Sequence, residues 1–194
     1  MTIRIGTLPP GGAAEALLDA KRQGKVRFIG FTGHKDPKIH LKMLAHDFPF
    51  DTCQLPLNVF DGTYRSFEQE VLPALNHRGI APLAMKTLSG NGEPIRQGII
   101  TAEEALRYVL SLPVVSIVSG IDSMEVLQQN LNIVRRFTPM TAAEMQALRV
   151  RVARYAMDGR FELFKSTNRY DGRIGRGAAW AVVNVVREAC RKGV

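Results

Sequence analysis

The sequence predicts an α/β fold built around a parallel sheet. Short apolar segments alternate with helical segments along most of the 194 residues, which is the pattern of strands joined by helical crossovers. Within the apolar segments polar and apolar residues do not alternate, as expected for strands that are buried on both faces. The length falls short of the ~250 residues of a complete (β/α)₈ barrel. The pattern alone leaves two architectures open: a small doubly wound sheet and half of a (β/α)₈ barrel.

The first half of the pattern begins with a helix, because alanine and leucine recur at helical spacing between residues 12 and 23 and Gly24 ends the repeat. Asp36-Pro37 predicts the start of a second helix, with the aspartate as the N-cap and the proline in the first turn. Gly79 ends a longer apolar helix predicted over residues 66–78. The strands predicted in this half are residues 26–31, 50–57 and 80–85.

The second half begins with a loop over residues 88–100, rich in glycine and polar residues. A capping box then predicts a helix from Thr101 to about residue 112. A fourth strand is predicted over residues 114–118, and Ser123 opens the helix that follows it. A second capping box, at Thr141 and Glu144, starts an extra helix that reaches about residue 157. The prediction is therefore four βα units, with one helix before them and one after.

The composition is that of an ordinary globular protein, with 45% hydrophobic and 23% charged residues. No apolar run approaches the ~18 residues of a membrane span, so we expect no membrane partner. The first residues lack the apolar core of a secretory signal. Cys53 and Cys190 do not resemble a disulfide framework. Together these observations predict a cytoplasmic protein.

The net charge of +8 is concentrated near the C-terminus. Residues 149–194 contain eleven Lys or Arg against four acids, and basic surfaces can bind nucleic acid. The basic residues are scattered singly, and no nucleic-acid motif accompanies them. A solvated helix face with an irregular tail is therefore the preferred interpretation, and nucleic-acid binding is kept as the weaker alternative.

Small and polar residues follow each predicted strand. They are Thr32-Gly33-His34, Asn58 together with Gln54 inside the second strand, residues 86–92, and residues 119–123. In both candidate architectures ligands bind at the carboxyl ends of the strands. Amide, hydroxyl and backbone donors suit a nucleotide or a carboxamide, and no His, Cys or acidic cluster has metal-ligand spacing. A lysine at the end of a buried strand, Lys86, is costly to desolvate without an anion.

Four blocks of the sequence resemble the aldo-keto reductase family, in order and spacing. They are GKVRFIGFTGH at residues 24–34, Gln54 within DTCQLPLN, GIAPLAMKTL at residues 79–88, and VSGIDSMEVLQQN at residues 118–130. The blocks resemble the fifth to eighth strands of that family's barrel, and the resemblance extends over residues 12–170. It favours a partial (β/α)₈ TIM barrel with four βα units and an extra C-terminal helix. Residues 1–172 would be the C-terminal half of the barrel, and residues 173–194 a divergent basic tail.

The resemblance implies an NAD(P)-dependent aldo/keto reductase that transfers hydride to an aldehyde or ketone. Thr32, Gly33 and Gln54 would then hold the nicotinamide carboxamide, and Met85 would pack against the nicotinamide ring. The remaining implied cofactor residues are Lys86 and Leu88 after the third strand, Gly120 and Ser123 at the phosphates, and Gln129 and Asn130 at the adenine. NADP is the expected cofactor, with NAD as the alternative because residues 119–134 contain no Lys or Arg for a 2′-phosphate.

The family's acid–base tetrad of Asp, Tyr, Lys and His comes from its first four strands, to which no block of this sequence corresponds. We therefore predict no catalytic residue and no metal site. The alternative to an oxidoreductase is a catalytically inactive nucleotide-binding or assembly module. Four strands of a barrel would leave two open edges, so we expect self-association through them. For residues 181–192 we expect no regular structure, with an amphipathic helix as the alternative.

Overall fold

The computed structural model describes residues 12–170 and the backbone of residues 182–187. Most of the predicted tail, including Cys190, lies outside the described residues. The strands are β1 (Val26–Thr32), β2 (Thr52–Pro56), β3 (Ala81–Met85), β4 (Ser116–Ile117) and β5 (Val182–Arg187). The helices are α1 (Ala13–Arg22), α2 (Pro37–Leu44), α3 (Phe67–Glu70), α4 (Leu72–His77), α5 (Glu93–Arg96), α6 (Ala102–Leu110), α7 (Met124–Arg135), α8 (Ala142–Ala156) and α9 (Leu163–Ser166).

The strands form one sheet in the order β4-β3-β2-β1-β5. β1 to β4 are parallel to their neighbours, as the alternation of strands and helices predicts. In register, Thr32 lies opposite Gln54, and Gln54 lies opposite Leu83. The α/β prediction is confirmed, and the carboxyl ends of the parallel strands meet at one edge of the sheet.

β5 corrects two expectations. Residues 182–187, for which we expected no regular structure or a helix, pair antiparallel with β1. Four of these six residues are valine, a type that favours strands because of its branched side chain. β5 also covers the edge of β1, so that edge is not open as we expected. Within the described part of the chain, the uncovered edge of the sheet is that of β4.

The sheet is buried on one face only, in contrast to the prediction of two buried faces. In β3, and in β2 as far as Leu55, the exposure alternates: Cys53, Leu55 and Ala84 are fully buried, whereas Gln54 and Met85 are half-buried. The buried side chains face the helices, and no described segment covers the other face as the remaining strands of a closed barrel would. The half-buried face is therefore the concave side of a partial barrel.

Several other helix and strand boundaries differ from the predicted ones. The predicted helix 66–78 is divided at Val71 into α3 and α4, because Pro73 lacks an N–H and its ring clashes with the carbonyl four residues earlier. The predicted fourth strand, 114–118, pairs only over Ser116–Ile117. The predicted loop 88–100 contains the short α5. Both capping boxes are present, and the side chain of Asp36 caps α2 by accepting a hydrogen bond from the Lys38 amide.

β1 and β2 approach closely at Gly30. A Cβ atom at this position would lie 2.0 Å from the Oγ1 of Thr52 and 2.6 Å from its carbonyl oxygen. These distances are far below van der Waals contact, so the strand pair requires glycine here.

A buried ionic network joins the C-terminal segment to the loop after β2. The ammonium of Lys165 lies 2.5 Å from Asp61 Oδ1 and 3.0 Å from Glu162 Oε2, and the side chain of Asn58 donates to the other Glu162 oxygen over 3.0 Å. The side chains of Lys165 and Asp61 are fully buried. Asp61 also accepts hydrogen bonds from the backbone amides at the start of α3. The segment that carries α9 is thereby fastened to the core.

In the described part of the chain, no helix is both long enough and apolar enough to cross a bilayer.

Candidate functional site

A groove of about 920 Å³ runs along the carboxyl ends of β2, β3 and β4. Six of the ten predicted cofactor residues line it: Gln54, Met85, Lys86, Leu88, Gly120 and Gln129. They come from three βα units and up to 75 positions apart in the chain, and the parallel sheet brings them together. The groove is open along the concave side of the sheet, where a flat ligand can lie across the strand ends.

Thr32 and Gly33 lie beside the groove. Thr32 is the last residue of β1 and pairs in register with Gln54, and Gly33 follows it. Both are half-buried. A hydroxyl and a carboxamide thus stand on adjacent strands, at the edge where the ligand site was predicted.

The loop over residues 86–92, which we name the β3 loop, has an unusual backbone. Lys86 and Ser89 adopt left-handed φ angles of 57° and 55°, and Gly90 and Gly92 adopt 75° and 73°. A left-handed conformation is costly for a residue other than glycine, and persists where the surrounding structure holds it. The loop closes on itself through hydrogen bonds from the amides of Ser89 and Gly92 to the carbonyls of Lys86 and Leu88. Alternation of left-handed and right-handed residues can turn successive N–H groups toward one anion.

The charge of Lys86 is accommodated by aromatic rings. Its ammonium lies 6.0 Å from the ring centroid of Phe164 and 5.9 Å from that of Tyr170. Aromatic faces attract cations at this distance. Desolvation of Lys86 is therefore offset by the C-terminal segment, so Lys86 does not by itself require an anion, in contrast to the expectation from the sequence.

Of the predicted residues that follow β4, Gly120 lines the groove, whereas Ser123 and Asn130 do not. No atom lies within 4 Å of the place where a Cβ of Gly120 would stand, so the backbone there is open to a ligand. Ser123 is exposed outside the groove lining, and its hydroxyl caps α7 by accepting from the Val126 amide over 3.2 Å. Asn130 is buried, and its Nδ2 donates to Ser119 Oγ over 3.2 Å. Ser123 thus caps α7, and Asn130 binds the residue before Gly120, so neither lines the groove.

Arg96 is a groove residue that no local pattern marked. It lies on the short α5, forms an ion pair with Glu93, and donates from Nη1 to the Asn91 carbonyl over 2.7 Å. The absence of Lys and Arg from residues 119–134 therefore does not leave the groove without a guanidinium. Asp122 also lines the groove and contributes negative charge on its other wall.

His34 lies in the loop after β1. The ring of His34 meets Phe164 edge-on, with centroids 5.9 Å apart. Among the residues that the structure describes, no group of three or more His, Cys, Asp or Glu side chains could hold a metal ion.

Many of the basic residues counted near the C-terminus are paired with acids. These pairs are Arg149–Glu68, Arg151–Glu104, Arg160–Asp158 and Lys165–Asp61. Paired cations offer less charge for phosphate neutralisation than free ones. The described part of the basic surplus therefore gives little support to the nucleic-acid alternative.

Comparison with solved structures finds aldo-keto reductases. The holo form of aldo-keto reductase AKR11C1 from Bacillus halodurans is 19% identical, with a TM-score of 0.58, and the match covers 74% of this chain and 56% of that one. The apo form of the same protein is 20% identical, with a TM-score of 0.58 and coverage of 76% and 59%. The thermostable aldo-keto reductase Tm1743, solved with the inhibitor epalrestat, is 20% identical, with a TM-score of 0.55 and coverage of 74% and 55%.

No family model matches the sequence, and no curated protein matches it. The chain spans rather more than half of the length of the solved structures that it matches. At this level of identity the likeness concerns the fold. The chain has part of the barrel fold of an aldo-keto reductase, and the preference for a partial barrel over a doubly wound sheet is confirmed.

Proposed function

We propose that this chain forms the cofactor-binding half of an aldo-keto reductase-type oxidoreductase, which reduces aldehydes or ketones. NADPH is the proposed cofactor, with NADH as the alternative. The observation that carries the proposal is the groove in which residues from three separate βα units, each predicted as cofactor contacts, line one surface. The partial aldo-keto reductase fold supports it.

The nicotinamide end of the cofactor would lie near β1 and β2. Thr32 and Gln54 are opposite each other in the sheet and present a hydroxyl and a carboxamide that can hydrogen-bond the nicotinamide amide. Met85 ends the adjacent strand on the half-buried face, where its polarizable thioether can pack against a flat ring. The bound dinucleotide would supply a hydride to the carbonyl carbon of the substrate. No described residue is proposed as the donor of the proton that the resulting alkoxide needs.

The phosphate end would lie between Gly120 and the β3 loop. The open space around Gly120 lets a phosphate approach the backbone. Lys86 and Arg96 supply positive charge on the facing wall. Arg96 is the residue that we assign to a 2′-phosphate, because a guanidinium can form paired hydrogen bonds with phosphate oxygens.

Titration of the chain with NADPH and NADH, followed by calorimetry, tests the proposal. We expect saturable binding of at least one dinucleotide, and Gly120→Ala to weaken it by about tenfold (~1.4 kcal/mol). The added methyl group meets no protein atom, so the fold is preserved. Gly62→Ala is the matched control, because its methyl group would make ordinary contacts of 3.7 Å outside the groove. Absence of binding by both dinucleotides would refute the proposal.

Turnover separates the oxidoreductase from the inactive module. We assign the role of proton donor to no described residue, so we expect the isolated chain to bind the cofactor without reducing a generic aldehyde. Addition of the remaining βα units of an aldo-keto reductase barrel as a second polypeptide should restore NADPH oxidation if the chain is half of an enzyme. Binding that never leads to oxidation favours the nucleotide-binding or assembly module.

We also propose that two copies associate through α7 and the residues on either side of β4. Large apolar side chains are exposed along this surface: Val115, Val118, Ile121, Met124, Leu131 and Val134. Glu125 lies in the first turn of α7 and Arg135 in the last. Two antiparallel copies of α7 would therefore place acid beside base at both ends of an apolar contact.

Sedimentation velocity tests this association. We expect a dimer at tens of micromolar, since ~10⁻⁶ M affinity is common for modest apolar interfaces, and Leu131→Lys should convert it to monomer. Val150→Lys is the matched control, because Val150 is also exposed but lies on α8, away from this surface. A monomeric wild-type chain, or dissociation by both variants, would contradict the proposed contact.

A further inference from the structure

α9 lies against the outer side of the β3 loop. Its Phe164 is 1% exposed and touches two of the loops that follow the parallel strands. The ring meets His34 after β1, lies 6.0 Å from the Lys86 ammonium, and would be 3.6 Å from a Cβ of Gly90. One buried ring thus lies beside the loop after β1 and beside Lys86 and Gly90 of the β3 loop.

α9 is itself attached to two loops. The Lys165 ammonium binds Asp61 and Glu162, and also donates to the Tyr64 carbonyl over 2.9 Å. On the far side of α9, the Lys35 ammonium donates to the Thr167 carbonyl over 2.6 Å. Phe164 therefore belongs to a segment with fixed attachments to the loops after β1 and β2.

The β3 loop needs such support. Lys86 and Ser89 hold left-handed φ angles that residues with a Cβ avoid. Ser89 is buried, and its hydroxyl has no hydrogen-bond partner among the described residues. The loop's own hydrogen bonds are local, so an external contact must keep it from relaxing to an ordinary conformation.

We propose that Phe164 is a positioning residue: α9, fastened through Lys165, presses the Phe164 ring against Lys86 and Gly90 and so keeps the β3 loop in the shape that forms one wall of the groove. Where the inference concerns the dinucleotide, it rests on the proposed function. Phe164 does not touch the groove, and its effect on a ligand passes through Lys86 and the loop backbone.

Hydrogen–deuterium exchange of the complete chain, without any ligand, tests the positioning. Phe164→Leu keeps most of the apolar volume but removes the flat face that Lys86 and Gly90 contact. We expect the amides of residues 86–92 to exchange about tenfold faster in this variant, as expected when local opening becomes easier. Phe50→Leu is the control, because Phe50 is a buried phenylalanine before β2, at the opposite end of the sheet, and should leave these amides unchanged.

NADPH titration of the same variants tests the consequence for the groove. We expect Phe164→Leu to raise the dissociation constant about tenfold, and Phe164→Tyr, which restores the ring, to return it toward the wild-type value. Unchanged exchange of residues 86–92 in Phe164→Leu would overturn the positioning role. Faster exchange with an unchanged dissociation constant would overturn its link to the groove. If the wild-type chain binds neither dinucleotide and residues 86–92 still exchange faster in Phe164→Leu, the proposed function is refuted and the positioning role is supported.

Discussion

Replacement of Lys165 by Met should be strongly destabilising. The substitution keeps the length and apolar stem of the side chain and removes its charge. Two carboxylates then remain buried with no cation between them, because the side chains of Asp61 and Glu162 are 0% and 1% exposed. Loss of one partner of a buried ion pair typically costs about 3–5 kcal/mol. We expect a loss of that size in the free energy of unfolding at pH 8.5.

The same network predicts how this loss depends on pH. In the wild-type chain burial already raises the pKa of Asp61, and raises that of Glu162 to about 7. Without Lys165 both pKa values rise further, so the folded state takes up protons that the unfolded state does not bind. Such binding stabilises the folded state as pH falls. The loss should therefore be largest at pH 8.5 and smaller at pH 5.5.

Urea unfolding at pH 5.5, 7 and 8.5, followed by circular dichroism, measures both effects. Arg160→Met is the matched control, because it removes an exposed cation that pairs with Asp158 in the same segment, and its unfolding midpoint should not change. A loss below about 1 kcal/mol at pH 8.5, the range of exposed pairs, would show that the network is not buried as described. A loss of equal size at all three pH values would refute the protonation reasoning.

Three further predictions concern the core. Burial against Phe31 and Phe67 lowers the pKa of His40 to about 4, so the contribution of His40 to stability is lost as pH falls from 6.5 toward 4, because the unfolded state binds a proton there that the folded state does not. The melting temperature of His40→Leu relative to the wild type should therefore be higher at pH 4.5 than at pH 7, and an equal difference at both pH values would contradict this. Gly30→Ala would place its methyl group 2.0 Å from the neighbouring strand, so we expect at least ~3 kcal/mol of destabilisation, and a urea midpoint close to that of the wild type would contradict the close approach. Tyr108→Phe removes a hydroxyl that donates to Glu68 over 2.8 Å, which should cost about 1–2 kcal/mol in urea unfolding; an unchanged midpoint would show that this bond is not formed in solution.

Much of the fold could be predicted because its signals are local. The capping boxes at Thr101 and Thr141 involve residues three positions apart, and both helices begin where predicted. The division of the helix at Val71 has an equally local cause in Pro73, but apolar periodicity continues across it and suggested one helix. β5 carries a local strand signal in its valines, but the strand with which it pairs could not be predicted from that signal. Its pairing with β1 joins residues about 150 positions apart.

The candidate site likewise combines residues that have a local sequence signal with residues that have none. Gln54, Met85 and Gly120 could be predicted because each lies in or after a strand within a recognisable block, and the sheet then brings them to one groove. Phe164 carried no signal, because a phenylalanine in a short helix is typical of any core, and its contact with Lys86 spans 78 positions. Asn130 fits the predicted block, but its buried contact with Ser119 depends on how α7 sits against the loop.

The one-sided burial of the sheet has a thermodynamic consequence. Gln54 and Met85 are already partly hydrated in the folded chain, so unfolding exposes less new surface than it would in a closed barrel with the same number of residues. Both the denaturant m-value and the heat-capacity change scale with newly exposed surface. We therefore expect both to be low for a chain of this length. Any polypeptide that covers the concave face should raise both, so that closure of the barrel can be followed by calorimetry before any activity is known.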